Sequence, residues 1–288
     1  MNYTTNIVIL DGYTLNPGDL NWEGFEAFGD IKIYDRTPED KVIERAINAD
    51  ILIVNKVNLS LPVLDQLPKL KCICVLATGF NNVDTVGARQ KSIPVCNVRG
   101  YSSESVAQHV FALILELINE VAAHNSSVVN NDWSHCPDFS YTLNPIMELS
   151  GKTMGIYGFG RIGQAVAKIG LAFGMNIIAK HKHPERDKMV GVEFVDTDHL
   201  FLNSDIISLH APLTEENTGL INSNRLQKMK STAFLINTAR GGFIVEKDLK
   251  SALESGKIAG AGLDVLSAEP PREDHILIGV KNCVITPH

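Results

Sequence analysis

The stretch Thr153-Met154-Gly155-Ile156-Tyr157-Gly158-Phe159-Gly160-Arg161-Ile162-Gly163 decides the fold. Its first five residues read as a short buried strand, and Gln164 to Phe173 read as a helix. Between them stands G-x-G-x-x-G. A strand, a glycine-rich turn and a helix make a dinucleotide-binding crevice. Each glycine has a separate task there. Gly158 permits the tight turn, Gly160 lets the backbone approach a pyrophosphate, and Gly163 lets helix and strand pack closely. Arg161 and Ile162, within the turn, are further cofactor-binding candidates, and the N-terminal N–H groups and dipole of the helix favour phosphate. A glycine-rich turn in an unrelated α/β protein is the competing reading, and the strand and helix on either side argue against it.

More than half of the 288 residues precede this turn, enough for another domain. Hydrophobic residues make up 44% of the chain, ordinary for a globular protein with sizeable cores. The net charge of −7 comes without a basic cluster, which argues against nucleic acid as a partner. No apolar run has the length of a membrane span, and Met1 to Asn6 lack the features of a signal peptide, so a cytoplasmic location is expected. The five cysteines (Cys72, Cys74, Cys96, Cys136 and Cys283) are odd in number and do not form a disulfide framework. Cys72 and Cys74 alternate along a strand, so both face one side as small apolar fillers. No set of metal ligands accompanies them, and no metal is expected.

Strand-like runs before residue 100 lie at Asn6–Leu10, Ile31–Tyr34, Ile51–Val54, Cys72–Leu76 and Ile93–Cys96. Thr37 reads as a helix N-cap, with Pro38 at the first helical position and acids in the first turn. A long helix is expected from Ser103 to Val121 or beyond. Val106, Val110, Leu113, Leu117 and Val121 form its apolar stripe, widened by Ala107, Phe111, Ile114 and Ile118. A helix this apolar is expected to be covered, between domains or at a dimer interface. Residues 125–150, with Trp133 and Phe139, read as an ordered loop or arm onto a partner subunit. Strands resume at Thr153–Tyr157, Asn176–Ala179, Asp205–Leu209, Ala233–Asn237, Gly260–Val265 and Cys283–Ile285. The alternation predicts α/β architecture with two doubly wound parallel sheets, the second of about six strands.

Ligands of such sheets sit beyond the carboxyl ends of the strands. There stand Arg240 after Ala233–Asn237, Glu269 after Gly260–Val265, and His288 after Cys283–Ile285. A guanidinium grips a carboxylate through two hydrogen bonds. Histidine exchanges protons near neutral pH, and a carboxylate beside it stabilises its charged form. The three together suit reduction of a 2-oxo acid: C2 takes hydride from a nicotinamide, His288 protonates the alkoxide, and Arg240 holds the carboxylate and polarises the carbonyl. Taken singly, each residue also has an ordinary structural reading.

Five blocks resemble the D-isomer-specific 2-hydroxyacid dehydrogenases: Gly158–Gly163, Ser208–Thr214, Asn237–Gly242, Gly262–Val265 and Ile285–His288. The resemblance implies that Arg240, Glu269 and His288 are catalytic. It further implies that Asp264 and the backbone near Thr238 hold the nicotinamide amide, and that His210, Ala211 and Pro212 line the adenosine side. The segments Asn55–Val57, Leu76–Asp84, Ile93–Val98 and Tyr101–His109 are similar to glycerate dehydrogenases, also called hydroxypyruvate reductases. In those enzymes backbone amides matching Lys56, Val57, Thr78 and Gly79 meet the substrate carboxylate, and Thr78 also borders the cofactor. The resemblance thus implies a flavodoxin-like substrate-binding domain over 1–98, a Rossmann dinucleotide-binding domain over 99–288 and a homodimer. His109, inside the apolar helix, reads as structural.

The chain departs from the pattern twice. An NAD site places an acid about 20 residues after the glycines begin. His181 stands there instead, among Lys180, Lys182 and His183, which tilts the balance from NAD slightly toward NADP. Family members also continue past the histidine into a helix that completes the first domain, so a return segment is expected beyond His288. Without it the terminal carboxylate is expected to compete for Arg240. Hydroxypyruvate or glyoxylate is the expected substrate. Phosphoglycerate, lactate or formate, and a dinucleotide-binding protein without turnover, remain open at this point.

Overall fold

The short β-branched runs before residue 100 pair side by side, and every pairing is parallel. The computed structural model describes residues 4–288. It divides into two units, one ending at Tyr101 and the other spanning Ser102–His288.

In the first unit the strands are β1 (Asn6–Ile9), β2 (Asp30–Ile33), β3 (Ile51–Val54), β4 (Cys72–Val75) and β5 (Val95–Asn97), in the order β2-β1-β3-β4-β5. This is the flavodoxin-like winding. Alternation along β1 sends Val8 and Leu10 into one apolar cluster and Ile7 and Ile9 into another on the opposite face. Short helices α1 (Val42–Ala46), α2 (Leu61–Leu64) and α3 (Thr85–Gln90) connect the strands. The helix start expected at Thr37 is displaced. Pro38 is extended and precedes a 3-10 turn over Glu39–Lys41, and the Thr37 hydroxyl accepts from Arg45 Nη1 at 2.9 Å instead of capping. The Sγ atoms of Cys72 and Cys74 lie 4.0 Å apart on one face. Burial, followed by the neighbouring thiols, pushes Cys72 up to about 12, so it stays a neutral thiol.

The second unit has seven parallel strands: β6 (Thr153–Tyr157), β7 (Asn176–Lys180), β8 (Val192–Phe194), β9 (Ile206–Leu209), β10 (Phe234–Asn237), β11 (Gly260–Leu263) and β12 (Cys283–Ile285). Their order is β12-β11-β10-β9-β6-β7-β8, the Rossmann winding, with its switch point between β6 and β9. Val192–Phe194 is the strand not expected from sequence. At three residues on a sheet edge it is too short for alternation to register.

Helix α4 (Ser103–Asn119) ends at Glu120, whose left-handed backbone (φ 46°) breaks the run. A second helix, α5 (Val121–Val129), follows at a bend of 51°. The irregular stretch is therefore shorter than expected, and Val121 lies beyond the stripe and is exposed. Upstream of the break Ala107, Val110, Phe111, Leu113, Ile114 and Ile118 are buried. They pack on β10, β11 and α6 (Arg161–Ala172), where Phe111 stacks on Phe173 at 5.3 Å. Further helices are α7 (Thr197–Asn203), α8 (Ser223–Lys228) and α9 (Glu246–Glu254). Among the described residues no single helix is long and apolar enough to cross a membrane.

Candidate active site

The glycine-rich turn leaves β6 beside the switch point. Gly158 has φ +101°, and a Cβ there would fall 2.4 Å from the Ala211 nitrogen, so the turn after β6 lies directly on the turn after β9. A Cβ at Gly163 would meet the Gly158 carbonyl oxygen at 2.3 Å, whereas one at Gly160 would meet nothing within 4 Å. Space is therefore open just where Gly160 caps α6 and its first amides point outward. Arg161 is exposed at that end, and Ile162 packs inward. Across the turn, Ser208 Oγ lies 2.7 Å from His210 Nε2, and desolvation pushes the His210 ring down to about 3. Pro212 is fixed by Asn217 Nδ2, which donates to its carbonyl at 2.9 Å.

At the end of β7 an acid does stand beside His181. The Phe159 amide donates to His181 Nδ1 at 3.3 Å, so the ring proton belongs on Nε2, 2.6 Å from Asp187 Oδ2. Arg186 donates to the same oxygen at 2.6 Å. Hydrogen bonds from Arg186, then from His181, pull the Asp187 carboxyl down to about 2. The His181 ring that tilted the balance toward NADP is thus paired with a carboxylate. Its outer nitrogen is answered by a carboxylate that comes from the loop six residues on, outside the strand-end position where the acid was sought.

On the rim formed by β10, β11 and β12, His288 Nδ1 lies 2.6 Å from Glu269 Oε2. The Leu266 amide donates to Glu269 Oε1 at 3.0 Å, so both carboxylate oxygens are engaged. A carboxylate can only accept, so Nδ1 carries a proton and Nε2 is the nitrogen left for chemistry. Arg240 is half-buried, and its Nη1 donates to the Ala239 carbonyl at 2.6 Å. Asn237, wholly buried, donates from Nδ2 to the Arg240 carbonyl at 2.9 Å and accepts from the Ala239 amide at 3.0 Å, clamping the turn. Asp264 Oδ1 accepts from Thr286 Oγ1 at 2.6 Å and lies 3.1 Å from His109 Nε2. Thr238 Oγ1 is buried and makes no hydrogen bond among the described residues. A buried hydroxyl without a partner is costly, so it suits a position that a ligand satisfies. Together with the open space at Gly160, it fits a bound dinucleotide.

Two residues not singled out by sequence shape this rim. Gly241 lies so close to the next loop that a Cβ would fall 1.9 Å from the Leu266 carbonyl carbon. The turn bearing Arg240 is thereby pressed against the backbone that anchors Glu269. Glu246, at the start of α9, accepts from the Ser267 amide at 2.9 Å and lies 3.2 Å from His275 Nε2, which staples the Glu269 loop at two points. Glu246 belongs to no motif, and Gly241, inside the Asn237–Gly242 block, has no role assigned there. Both act through loop-to-loop proximity, which no spacing in the sequence announces.

In the first unit the expected substrate amides divide. Those of Lys56 and Val57 are taken: they donate to Asp11 Oδ2 at 2.5 and 3.1 Å, and the Asn55 amide joins them at 2.9 Å from Oδ1. Asp11, at the end of β1, is 5% exposed, and these amides satisfy its buried charge. The Lys56 and Val57 amides, expected to meet the substrate carboxylate, are thus engaged by Asp11 in this structure. The Thr78-Gly79 turn is held differently. Thr78 Oγ1 donates to the Val98 carbonyl at 3.0 Å, Asn97 Nδ2 donates to the Thr78 carbonyl at 2.8 Å, and the Gly79 amide makes no hydrogen bond among the described residues.

Known proteins resemble this chain in sequence and in fold. The sequence model of "D-isomer specific 2-hydroxyacid dehydrogenase, NAD binding domain" matches residues 111–288. A hydroxypyruvate reductase of Blautia hydrogenotrophica is 46% identical over 287 residues, covering 98% of this chain and 89% of its own. A glycerate dehydrogenase of Methylorubrum extorquens is 38% identical, covering 99% of this chain and 89% of its own. Among solved structures, an acyclic imino acid reductase in complex with NADPH and D-Arg superposes with a TM-score of 0.86 at 31% identity, over 98% of this chain and 89% of its own.

Proposed function

Since the chain belongs to the D-isomer specific 2-hydroxyacid dehydrogenase family, and is an enzyme of that class that uses a nicotinamide dinucleotide, we propose that it reduces hydroxypyruvate, and glyoxylate beside it, to the D-2-hydroxy acid. The observation that carries this reading is the 2.6 Å pair of His288 and Glu269 on the rim that also bears Arg240. The names of relatives at 46% and 38% identity support the choice of substrate.

A bound reduced nicotinamide supplies hydride to C2 of the oxo acid. The chain's own groups do the rest. Arg240 takes the substrate carboxylate on its planar fork and polarises the carbonyl. His288 Nε2 gives its proton to the developing alkoxide, and Glu269 holds the ring and balances its charge while it is protonated. In the oxidative direction the same nitrogen takes the proton back. Asp264 accepts from the carboxamide of the nicotinamide, with Thr238 alongside. His210, Ala211 and Pro212 border the adenosine half. The Thr78-Gly79 turn of the first unit is the proposed donor to the substrate carboxylate, while the Lys56 and Val57 amides fasten the loop after β3 to Asp11. Because Asp187 answers His181, we assign the better turnover to NADH over NADPH.

A homodimer is the proposed assembly. Trp133 is 52% exposed and Phe139 89%, on the segment that follows α5, and the Trp133 indole N–H donates to the Phe139 carbonyl at 2.9 Å. Two large aromatic rings held in order yet left in solvent suit an interface.

The test is a panel of initial rates with NADH and NADPH against hydroxypyruvate, glyoxylate, pyruvate and phosphohydroxypyruvate. The highest kcat/KM is expected for NADH with hydroxypyruvate. Dinucleotide binding with no oxidation by any of the four acids would replace this reading with a non-catalytic one.

A further inference from the structure

We propose that His109 is a positioning residue for the nicotinamide: its imidazole fixes the Asp264 carboxylate in the orientation that receives the carboxamide. The proposal rests on the reading of Asp264 above.

The argument begins with two periodicities that meet. On α4, His109, Leu113 and Leu117 follow one another at four-residue steps along one face. On β11 and its extension, alternate residues share a face, so Gly262 and Asp264 lie in line. The two rows are in contact. A Cβ on Gly262 would stand 3.0 Å from Leu113 Cβ and 3.3 Å from Leu117 Cδ1, so the helix crosses the strand directly over this glycine. One turn up the helix and two residues on along the strand, His109 meets Asp264. An apolar residue would continue the stripe there. The histidine instead places Nε2 3.1 Å from Asp264 Oδ1 and 2.9 Å from Thr286 Oγ1.

Counting protons fixes the roles. The Thr286 hydroxyl donates its one proton to Asp264 Oδ1 at 2.6 Å. Its oxygen can then only accept from His109, and the carboxylate can only accept. Nε2 therefore carries hydrogen and donates to Thr286 Oγ1, with Asp264 Oδ1 3.1 Å away. Oδ1 accepts from Thr286 and faces the His109 ring. Oδ2 accepts none among the described residues, although the carboxylate is only 17% exposed. A largely enclosed carboxylate held firmly on one oxygen and left open on the other suits a donor arriving with a ligand, and an amide N–H2 is such a donor. Thr286 also gives its backbone amide to the Leu263 carbonyl at 2.9 Å, so the same contact ties the end of β12 to the end of β11.

ADP-ribose carries everything in the dinucleotide except the nicotinamide, so it separates this role from a general packing role. Affinities of the apo-enzyme for NADH and for ADP-ribose are to be measured by titration calorimetry for wild type, His109→Phe, His109→Gln and Asp264→Ala. Phenylalanine keeps ring volume and removes the donor. His109→Phe is expected to weaken NADH about tenfold while leaving ADP-ribose within about twofold of wild type. His109→Gln, whose amide can donate from nearly the same place, is expected to recover most of the loss. Equal weakening of both ligands by His109→Phe, or of neither, overturns the proposal. If Asp264→Ala leaves the ratio of the two affinities unchanged, the reading of Asp264 itself has failed. If Asp264→Ala changes that ratio and both His109 variants leave it alone, only the role of His109 falls.

Discussion

His181 Nε2 and Asp187 Oδ2 lie 2.6 Å apart, and together they fill the place at the end of β7 where a single acid would stand in an NAD site. Because the Phe159 amide occupies Nδ1, the imidazole has no second proton to offer a phosphate without giving up that contact. A 2′-phosphate brought here meets the Asp187 carboxylate, whose charge persists at every pH above about 4 because its carboxyl is held down to about 2.

Asp187→Asn removes that charge and leaves Arg186 beside it, with Lys180 and Lys182 flanking His181 in sequence. The ratio of kcat/KM for NADPH over NADH is expected to rise about tenfold, the size of one like-charge contact at a partly exposed site. Steady-state rates with both cofactors check this, and an unchanged ratio would remove Asp187 from cofactor choice.

Glu269→Gln keeps the shape of the His288 partner but not its charge. The neutral amide no longer balances the imidazolium, so kcat is expected to fall by about 10- to 100-fold while NADH affinity stays unchanged. His288→Gln, which removes the proposed proton donor, is expected to cost about 100- to 10,000-fold. Parallel loss of cofactor binding in either variant would point to a damaged fold.

His210 gives a pH signature of stability. Desolvation lowers its folded value to about 3, against an unfolded value of about 6.5. Between these the unfolded chain binds the extra proton, so the penalty is absent above about pH 6.5 and grows as pH falls toward 3. At pH 5 it amounts to about 2 kcal/mol. Urea unfolding of wild type and His210→Gln at pH 8 and pH 5 tests it. The wild type, measured relative to the variant, is expected to lose about that much on acidification. Equal pH dependence in both proteins would contradict the desolvated ring.

Trp133→Ser combined with Phe139→Ser takes two exposed rings from the segment after α5. Sedimentation velocity is expected to show the wild type as a dimer and the double variant shifted to monomer at micromolar concentration. A monomeric wild type would end the dimer proposal.

Both windings were legible because their signals are local. β-branched runs, one glycine-rich turn and an apolar stripe each state an element without reference to the rest of the chain. The break at Glu120 was not, because a glutamate in the left-handed region is selected by what surrounds it and carries no helix-stop signature. The rim residues Arg240, Glu269 and His288 could be read from their places after strands. The contacts that set them could not. Asp187 reaches His181 from a loop, Asp11 occupies the amides of Lys56 and Val57 from 45 and 46 residues away, and Glu246 holds the Glu269 loop. Each joins a side chain to a partner on another segment, backbone for Asp11 and Glu246 and the imidazole for Asp187, and such partners are fixed only when the segments have come together.

Gly241 is the sharpest such case, and it predicts a coupled loss. Its φ lies outside the left-handed region, so alanine is acceptable to the backbone there, and the constraint is space alone. A Cβ would sit 1.9 Å from the Leu266 carbonyl carbon and 2.4 Å from the Ser267 nitrogen, both backbone atoms that cannot rotate aside. The two loops must part. Leu266 then carries its amide away from Glu269, and the turn bearing Arg240 moves the other way. Gly241→Ala is expected to cost about 2–3 kcal/mol of stability, as overpacking does. It should also lower kcat and raise the substrate KM together, because proton donor and carboxylate grip are displaced at once. Gly256→Ala is the control: its Cβ would meet nothing within 4 Å, although its φ of +66° adds backbone strain. Chemical denaturation and steady-state kinetics on both variants decide the matter. A Gly241→Ala enzyme with wild-type kcat and KM would show that the two loops do not act as one unit.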